Sequence, residues 1–69
     1  MDVVLTKVGS NPIQIIKVVT ESTGLGLMEA RELISTLPAM IKAKVDLAEA
    51  KKIRIQLMEA SPGATVDLK

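Results

Sequence analysis

Apolar stretches alternate along the chain with glycine, proline and small polar residues, and this pattern predicts six elements. Three of the stretches are rich in β-branched residues or alternate between apolar and polar residues, which favours strands. The other three carry apolar residues at helical spacing. We predict strands at residues 3–8, 40–45 and 64–68, and helices at residues 12–22, 27–35 and 47–60.

Capping and turn residues indicate where the predicted helices begin and end. Asn11 precedes a proline at the first helical position and is expected to cap the first helix. Gly24 is expected in the left-handed conformation that ends this helix, and Gly26 belongs to the same structural turn. Asp46, three residues before Glu49, is expected to cap the third helix.

The element order predicts an α+β fold in two layers. Three helices are expected to pack on one face of a three-stranded antiparallel or mixed sheet. The third helix connects the second and third strands as a crossover, so these two can run parallel with the first strand inserted antiparallel between them. A chain of 69 residues is long enough for one domain, spanning residues 1–69.

Apolar residues form one buried stripe on each of the second and third predicted helices. The stripes consist of Ala30, Leu33 and Ile34 on the second helix and of Ala50, Ile53, Leu57 and Ala60 on the third. Ile55 lies outside its stripe and is interpreted as an isolated surface residue, which is common in soluble proteins.

The first predicted helix has two apolar stripes instead of one. The stripe that suits the sheet consists of Ile15, Val18 and Val19. Ile13 and Ile16 lie on nearly the opposite side, with Lys17 beside them. Since a helix cannot bury opposite faces against one sheet, two interpretations stay open. Either the second helix covers Ile13 and Ile16, or they form an exposed patch rimmed by charge, as partner-binding sites do.

The composition argues against catalysis and against a cofactor. The chain has no Cys, His, Phe, Tyr or Trp, so it lacks the usual general base, the commonest metal ligand and any aromatic stacking surface. We therefore expect no catalytic residues, metal site or cofactor. The absence of cysteine is typical of the cytoplasm. Uncharged stretches such as residues 8–16 contain Gly, Ser, Asn, Pro and Gln, so no membrane segment is expected.

Direct nucleic-acid binding is not favoured either. The net charge is +1, which gives no basic footprint. A helix-turn-helix would bring Glu29 and Glu32 close to phosphate with a single Arg31. A KH-type loop would need its glycines one residue further apart than Gly24 and Gly26, together with basic residues that are absent. A phosphate-binding P-loop would need a lysine that this turn lacks.

Three segments of the chain resemble a known family. They are Ile15-Ile16-Lys17-Val18-Val19, Thr23-Gly24-Leu25-Gly26-Leu27 and Glu29-Ala30-Arg31-Glu32-Leu33. The pattern is similar to the C-terminal domain of the bacterial ribosomal stalk protein, the large-subunit "seven/twelve" family, and it extends over essentially the whole chain. The resemblance implies a β-α-α-β-α-β fold that recruits translational GTPases, the elongation and initiation factors, to the ribosome. It assigns partner binding to Ile13, Ile16, Lys17 and Arg31.

The chain also departs from that family pattern. The resemblance implies Arg at Thr20, Lys at Met28 and Gly at Lys44, and Ser61-Pro62 resembles an insertion. The N-terminal dimerisation region that attaches the family to the ribosome is missing from these residues. We therefore expect either an excised stalk domain that binds translational GTPases or a free-standing adaptor on the same fold that tethers or delivers another protein.

Overall fold

A computed structural model describes residues 1–69 and contains six elements in the predicted order. They are β1 (Val3–Lys7), α1 (Pro12–Thr23), α2 (Leu27–Ser35), β2 (Ala39–Lys42), α3 (Leu47–Ala60) and β3 (Thr65–Leu68). The α+β class and the β-α-α-β-α-β order are therefore confirmed. The bounds of α2 and α3 agree with the sequence prediction, whereas all three strands are shorter than predicted.

β1 is the central strand of the sheet. The strand order is β2-β1-β3, and β1 is antiparallel to both neighbours. Leu5 lies opposite Ala39 on one side and opposite Val66 on the other. The two edge strands consequently run in the same direction, as the crossover through α3 predicted.

The core is a cluster of aliphatic side chains between the sheet and the helices. Its members are Val3, Leu5, Ile15, Val19, Ala30, Ile34, Ala39, Ile41, Val45, Ala50, Ile53, Leu57 and Ala64. The predicted stripes of α2 and α3 supply five of these residues, while Leu33 and Ala60 are half-buried. The helical periodicity thus identified the buried faces of both helices correctly.

β2 ends earlier than predicted because of the backbone at Lys44. This residue has a φ of 59°, in the left-handed region, which a strand cannot contain. Its N–H donates to the Asp2 carboxylate at 3.0 Å. Val45 is nevertheless buried, and its N–H donates to the carbonyl oxygen of Met1 at 2.9 Å.

The two predicted helix caps have different outcomes. The Asp46 carboxylate accepts the Glu49 N–H at 2.8 Å, which confirms the predicted start of α3. The Glu49 carboxylate does not complete the cap but pairs with Lys42 at 3.3 Å. Asn11 precedes α1 as predicted, but its side chain makes no capping hydrogen bond.

The turn after β1 packs directly against the turn between α3 and β3. Ser61 is fully buried, and its hydroxyl donates to the Val8 carbonyl at 2.6 Å and accepts the Asn11 N–H at 2.8 Å. Gly9 has a φ of 74°, and a Cβ placed there would lie 2.5 Å from the carbonyl oxygen of Pro62. Close backbone contact therefore requires glycine at this position.

Candidate partner-binding site

Residues 24–26 join α1 to α2 and set the relation between the two helices. Gly24 has a φ of 76°, in the left-handed region, and its N–H donates to the Thr20 carbonyl at 2.9 Å. No atom lies within 4 Å of a Cβ placed there, so only the backbone conformation favours glycine. Gly26 has a φ of −71° at the start of α2, a conformation that other residues adopt.

A shallow groove of about 320 Å³ lies between α1 and α2. Its lining residues are Ile13, Ile16 and Lys17 from α1 and Leu27, Met28 and Arg31 from α2. The fold thus brings together all four residues to which the family resemblance assigned partner binding. It adds two apolar side chains from the beginning of α2.

The apolar side chains of the α1–α2 groove are open to solvent. The exposed fractions are 67% for Ile13, 66% for Leu27 and 76% for Met28. Ile16 is different because it is half-buried and packs against the core. Neither interpretation of the second α1 stripe holds for both residues: Ile16 is half-buried against the core, whereas Ile13 belongs to an exposed patch. Such patches mark interaction sites.

Two cations accompany these apolar side chains. Lys17 and Arg31 are both exposed, and neither is within ion-pair distance of a carboxylate, since the structure's one ion pair joins Lys42 to Glu49. The hydroxyl of Thr20 donates to the Lys17 carbonyl at 2.7 Å, so it bonds back to its own helix. The groove therefore offers an apolar surface and two free positive charges.

Leu27 and Met28 were not identified as site residues from the sequence. Met28 precedes Arg31 by three positions, a spacing that places two side chains on one face of a helix. This spacing could have identified Met28 as a neighbour of the predicted cation. Leu27 offered no comparable signal because its contribution depends on how the turn orients α2 against α1.

A second cleft, between α1, β2 and α3, has a different chemistry. It is lined by Glu21, Ser22, Lys42, Glu49, Lys52, Ile53 and Gln56. The charges of its two carboxylates and two ammonium groups cancel, and Lys42 and Glu49 already form the ion pair.

No cluster of three or more His, Cys, Asp or Glu side chains could hold a metal ion. None of the helices has the length and apolar character needed to cross a bilayer.

Comparison with known proteins gives one consistent result. The model of the family described as "Ribosomal protein L7/L12 C-terminal domain" matches residues 1–69. Proteins named "Large ribosomal subunit protein bL12" are 50% identical in Aliivibrio salmonicida, 52% in Desulforamulus reducens and 53% in Streptococcus suis, each over 68 residues. These matches cover 99% of this chain but only 53–54% of each relative. The chain thus spans about half the length of these relatives.

Proposed function

Because the chain belongs to the ribosomal protein L7/L12 C-terminal domain family, we propose that its α1–α2 groove captures translational GTPases for the ribosome. Membership confirms the resemblance seen in the sequence and the expectation of a non-enzymatic protein, since the family is one of non-enzymatic ribosomal proteins. The names of the relatives support association with the large ribosomal subunit, and hence a cytoplasmic location.

One observation carries the proposed factor binding: exposed apolar side chains and unpaired cations share one groove. Apolar anchors such as Ile13 and Met28 give affinity when a partner covers them. Cations such as Lys17 and Arg31 accelerate association with an acidic surface. The groove therefore suits a GTPase surface that presents an apolar side chain flanked by carboxylates.

Two of the departures from the family pattern reduce the positive charge in and beside this groove. Thr20 and Met28 replace two cations that the resemblance implies, so the remaining positive charge comes from Lys17 and Arg31. Charge acts mainly on the association rate, whereas apolar contact acts mainly on dissociation. We therefore expect factor binding that depends more on apolar contact and less on salt than a four-cation groove would.

The charge contribution is tested by Lys17→Glu, with Lys7→Glu as a control. Both lysines are exposed, so both variants should unfold within about 0.5 kcal/mol of the parent. Lys17→Glu should weaken binding of an elongation-factor GTPase about tenfold because it places a carboxylate opposite an acidic surface. Lys7→Glu makes the same change in net charge outside the groove and should bind like the parent. Equal effects of the two variants would contradict a localised site.

The apolar contribution is tested by Ile13→Ala beside Ile16→Ala. Ile13 is largely exposed, so its truncation should weaken GTPase binding and leave the free energy of unfolding unchanged. Ile16 packs against the core, so its truncation should lower both stability and binding. Binding of Ile13→Ala that matches the parent would exclude this groove as the docking surface.

Failure of the parent chain to bind any translational GTPase would favour the adaptor function instead. The specific observation behind this alternative is that Met28 is highly exposed in the groove, where the family resemblance implies a lysine. An adaptor of this kind would use the same groove to tether or deliver another protein.

A further inference from the structure

Another exposed groove, the α3–β3 groove, lies between α3 and the edge strand β3. Its residues are distant in sequence from those of the α1–α2 groove. It has a volume of about 420 Å³ and is lined by Arg54, Ile55, Met58, Thr65 and Val66. Ile55 and Met58 are 51% and 48% exposed. The sequence interpretation of Ile55 as an isolated surface residue is therefore wrong, because Met58 and Val66 share its groove.

The backbone of β3 is available for pairing along this groove. β3 is an edge strand that pairs only with β1. Asp2 and Lys69 exchange both backbone hydrogen bonds at 2.9 Å. Since bonded and non-bonded pairs alternate in an antiparallel ladder, the N–H and C=O groups of Val66 and Leu68 point away from β1. Such an edge beside a helix can accept an added strand.

The one charged residue that lines the α3–β3 groove is a cation, Arg54. Lys51 precedes Ile55 by four residues and Arg54 precedes Met58 by four, so both cations lie on this face of α3, as does Glu59, four residues after Ile55. Neither cation forms an ion pair, and no carboxylate lines the groove. Asp67 does not alter this balance, because its strand neighbours pack against the core and its own side chain points away from the helices.

We propose that the α3–β3 groove binds an extended acidic peptide segment of a partner protein, which adds to β3 as a fourth strand. The peptide backbone pairs with the outward N–H and C=O groups of Val66 and Leu68. One apolar side chain of the peptide packs on Ile55 and Met58. A carboxylate two residues away, on the same side of the added strand, reaches Arg54. This surface is separate from the α1–α2 groove and does not depend on GTPase capture.

The test uses a synthetic peptide, Thr-Val-Thr-Glu-Thr-Val-Thr with blocked ends, titrated into the isotope-labelled chain. We expect saturating shifts of the amide signals of Val66 and Leu68 and of the methyl signals of Ile55 and Met58. A peptide N-methylated on the edge that pairs should not bind, because it lacks the donors for the ladder. A peptide with lysine in place of its glutamate should bind more weakly, because it meets Arg54 with a like charge.

Arg54→Glu should weaken binding of the acidic peptide about fivefold to tenfold and improve binding of the lysine peptide. Arg31→Glu makes the same charge change in the α1–α2 groove and should have no effect on either peptide. Equal binding of the N-methylated peptide, or shifts centred on α1 and α2, would overturn the proposal. Concentration-dependent shifts of Val66 and Leu68 without peptide would overturn it as well, because a second copy of the chain would then be the occupant.

Discussion

Replacing Gly9 with alanine should destabilise the protein far more than the same replacement at Gly24. The two residues have φ angles of 74° and 76°, so alanine meets the same backbone penalty of about 1 kcal/mol at both. A Cβ at Gly24 would have no neighbour within 4 Å. At Gly9 it would lie 2.5 Å from the Pro62 oxygen and 2.6 Å from the Ala64 nitrogen.

The atoms that a side chain at Gly9 would meet belong to the backbone, so no rotamer change can make room. The turn after α3 would have to move, which would strain the 2.9 Å bond from the Ser10 N–H to Pro62 and the bonds of buried Ser61. Overpacking costs about 1–3 kcal/mol, and a buried hydroxyl that loses its partners costs about 1–3 kcal/mol more. With the backbone penalty the loss is about 3–7 kcal/mol, against a total stability of about 3–10 kcal/mol for a chain of this length.

Urea unfolding followed by far-ultraviolet circular dichroism is the suitable assay, because the chain has no aromatic residue to report by fluorescence. Gly24→Ala should lower the unfolding midpoint modestly and leave a complete transition. Gly9→Ala should unfold at a low urea concentration, with an incomplete transition or no transition at all. If the two variants unfolded at the same urea concentration, the close contact between the turns would not constrain the fold, and the reasoning from it would be refuted.

Three further substitutions test the core, the buried hydroxyl and the left-handed lysine. Leu57→Ala should cost about 2–5 kcal/mol in urea unfolding because the side chain is fully buried, whereas half-exposed Met58→Ala should cost much less; similar losses would contradict the assignment of the core face. Ser61→Ala should cost about 1–3 kcal/mol in thermal unfolding because it removes two hydrogen bonds to backbone, and an unchanged melting temperature would disprove that role. Lys44→Gly should raise stability by about 0.5–1 kcal/mol because it relieves a φ of 59°, while Lys44→Ala keeps the strain and should give no gain.

The helices could be predicted well because their signals are local. The Asp46 cap marks the start of α3 within a span of three residues, and the stripe of Ala50, Ile53 and Leu57 repeats at the helical period. The second apolar stripe on α1 likewise predicted that Ile13 and Ile16 face away from the sheet, towards either the second helix or a partner. Lys17 and Arg31 then meet in the α1–α2 groove because the turn at Gly24 brings α2 beside α1.

The remaining features depend on contacts between distant parts of the chain. The hydrogen bond between Ser10 and Pro62 spans 52 positions. No local sequence pattern predicts that the turn after β1 contacts the turn after α3. The end of β2 depends on the backbone conformation of Lys44, whose N–H donates to the carboxylate of Asp2, 42 positions earlier. The α3–β3 groove could not be predicted because it also depends on distant residues: Ile55 comes next to Val66 only when the sheet forms.

The position of β1 in the middle of the sheet has a consequence for the synthesis of this protein. The side chain of Thr6 bonds to Thr65, 59 positions later, so β1 must wait for the synthesis of β3. At about 5–20 residues per second, that wait is about 3–12 seconds during translation. Until then Val3 and Leu5 lack the neighbour on one side of their strand. A nascent chain that stops before residue 65 therefore cannot close this sheet and stays open to proteases, whereas the sheet can form as soon as β3 leaves the exit tunnel.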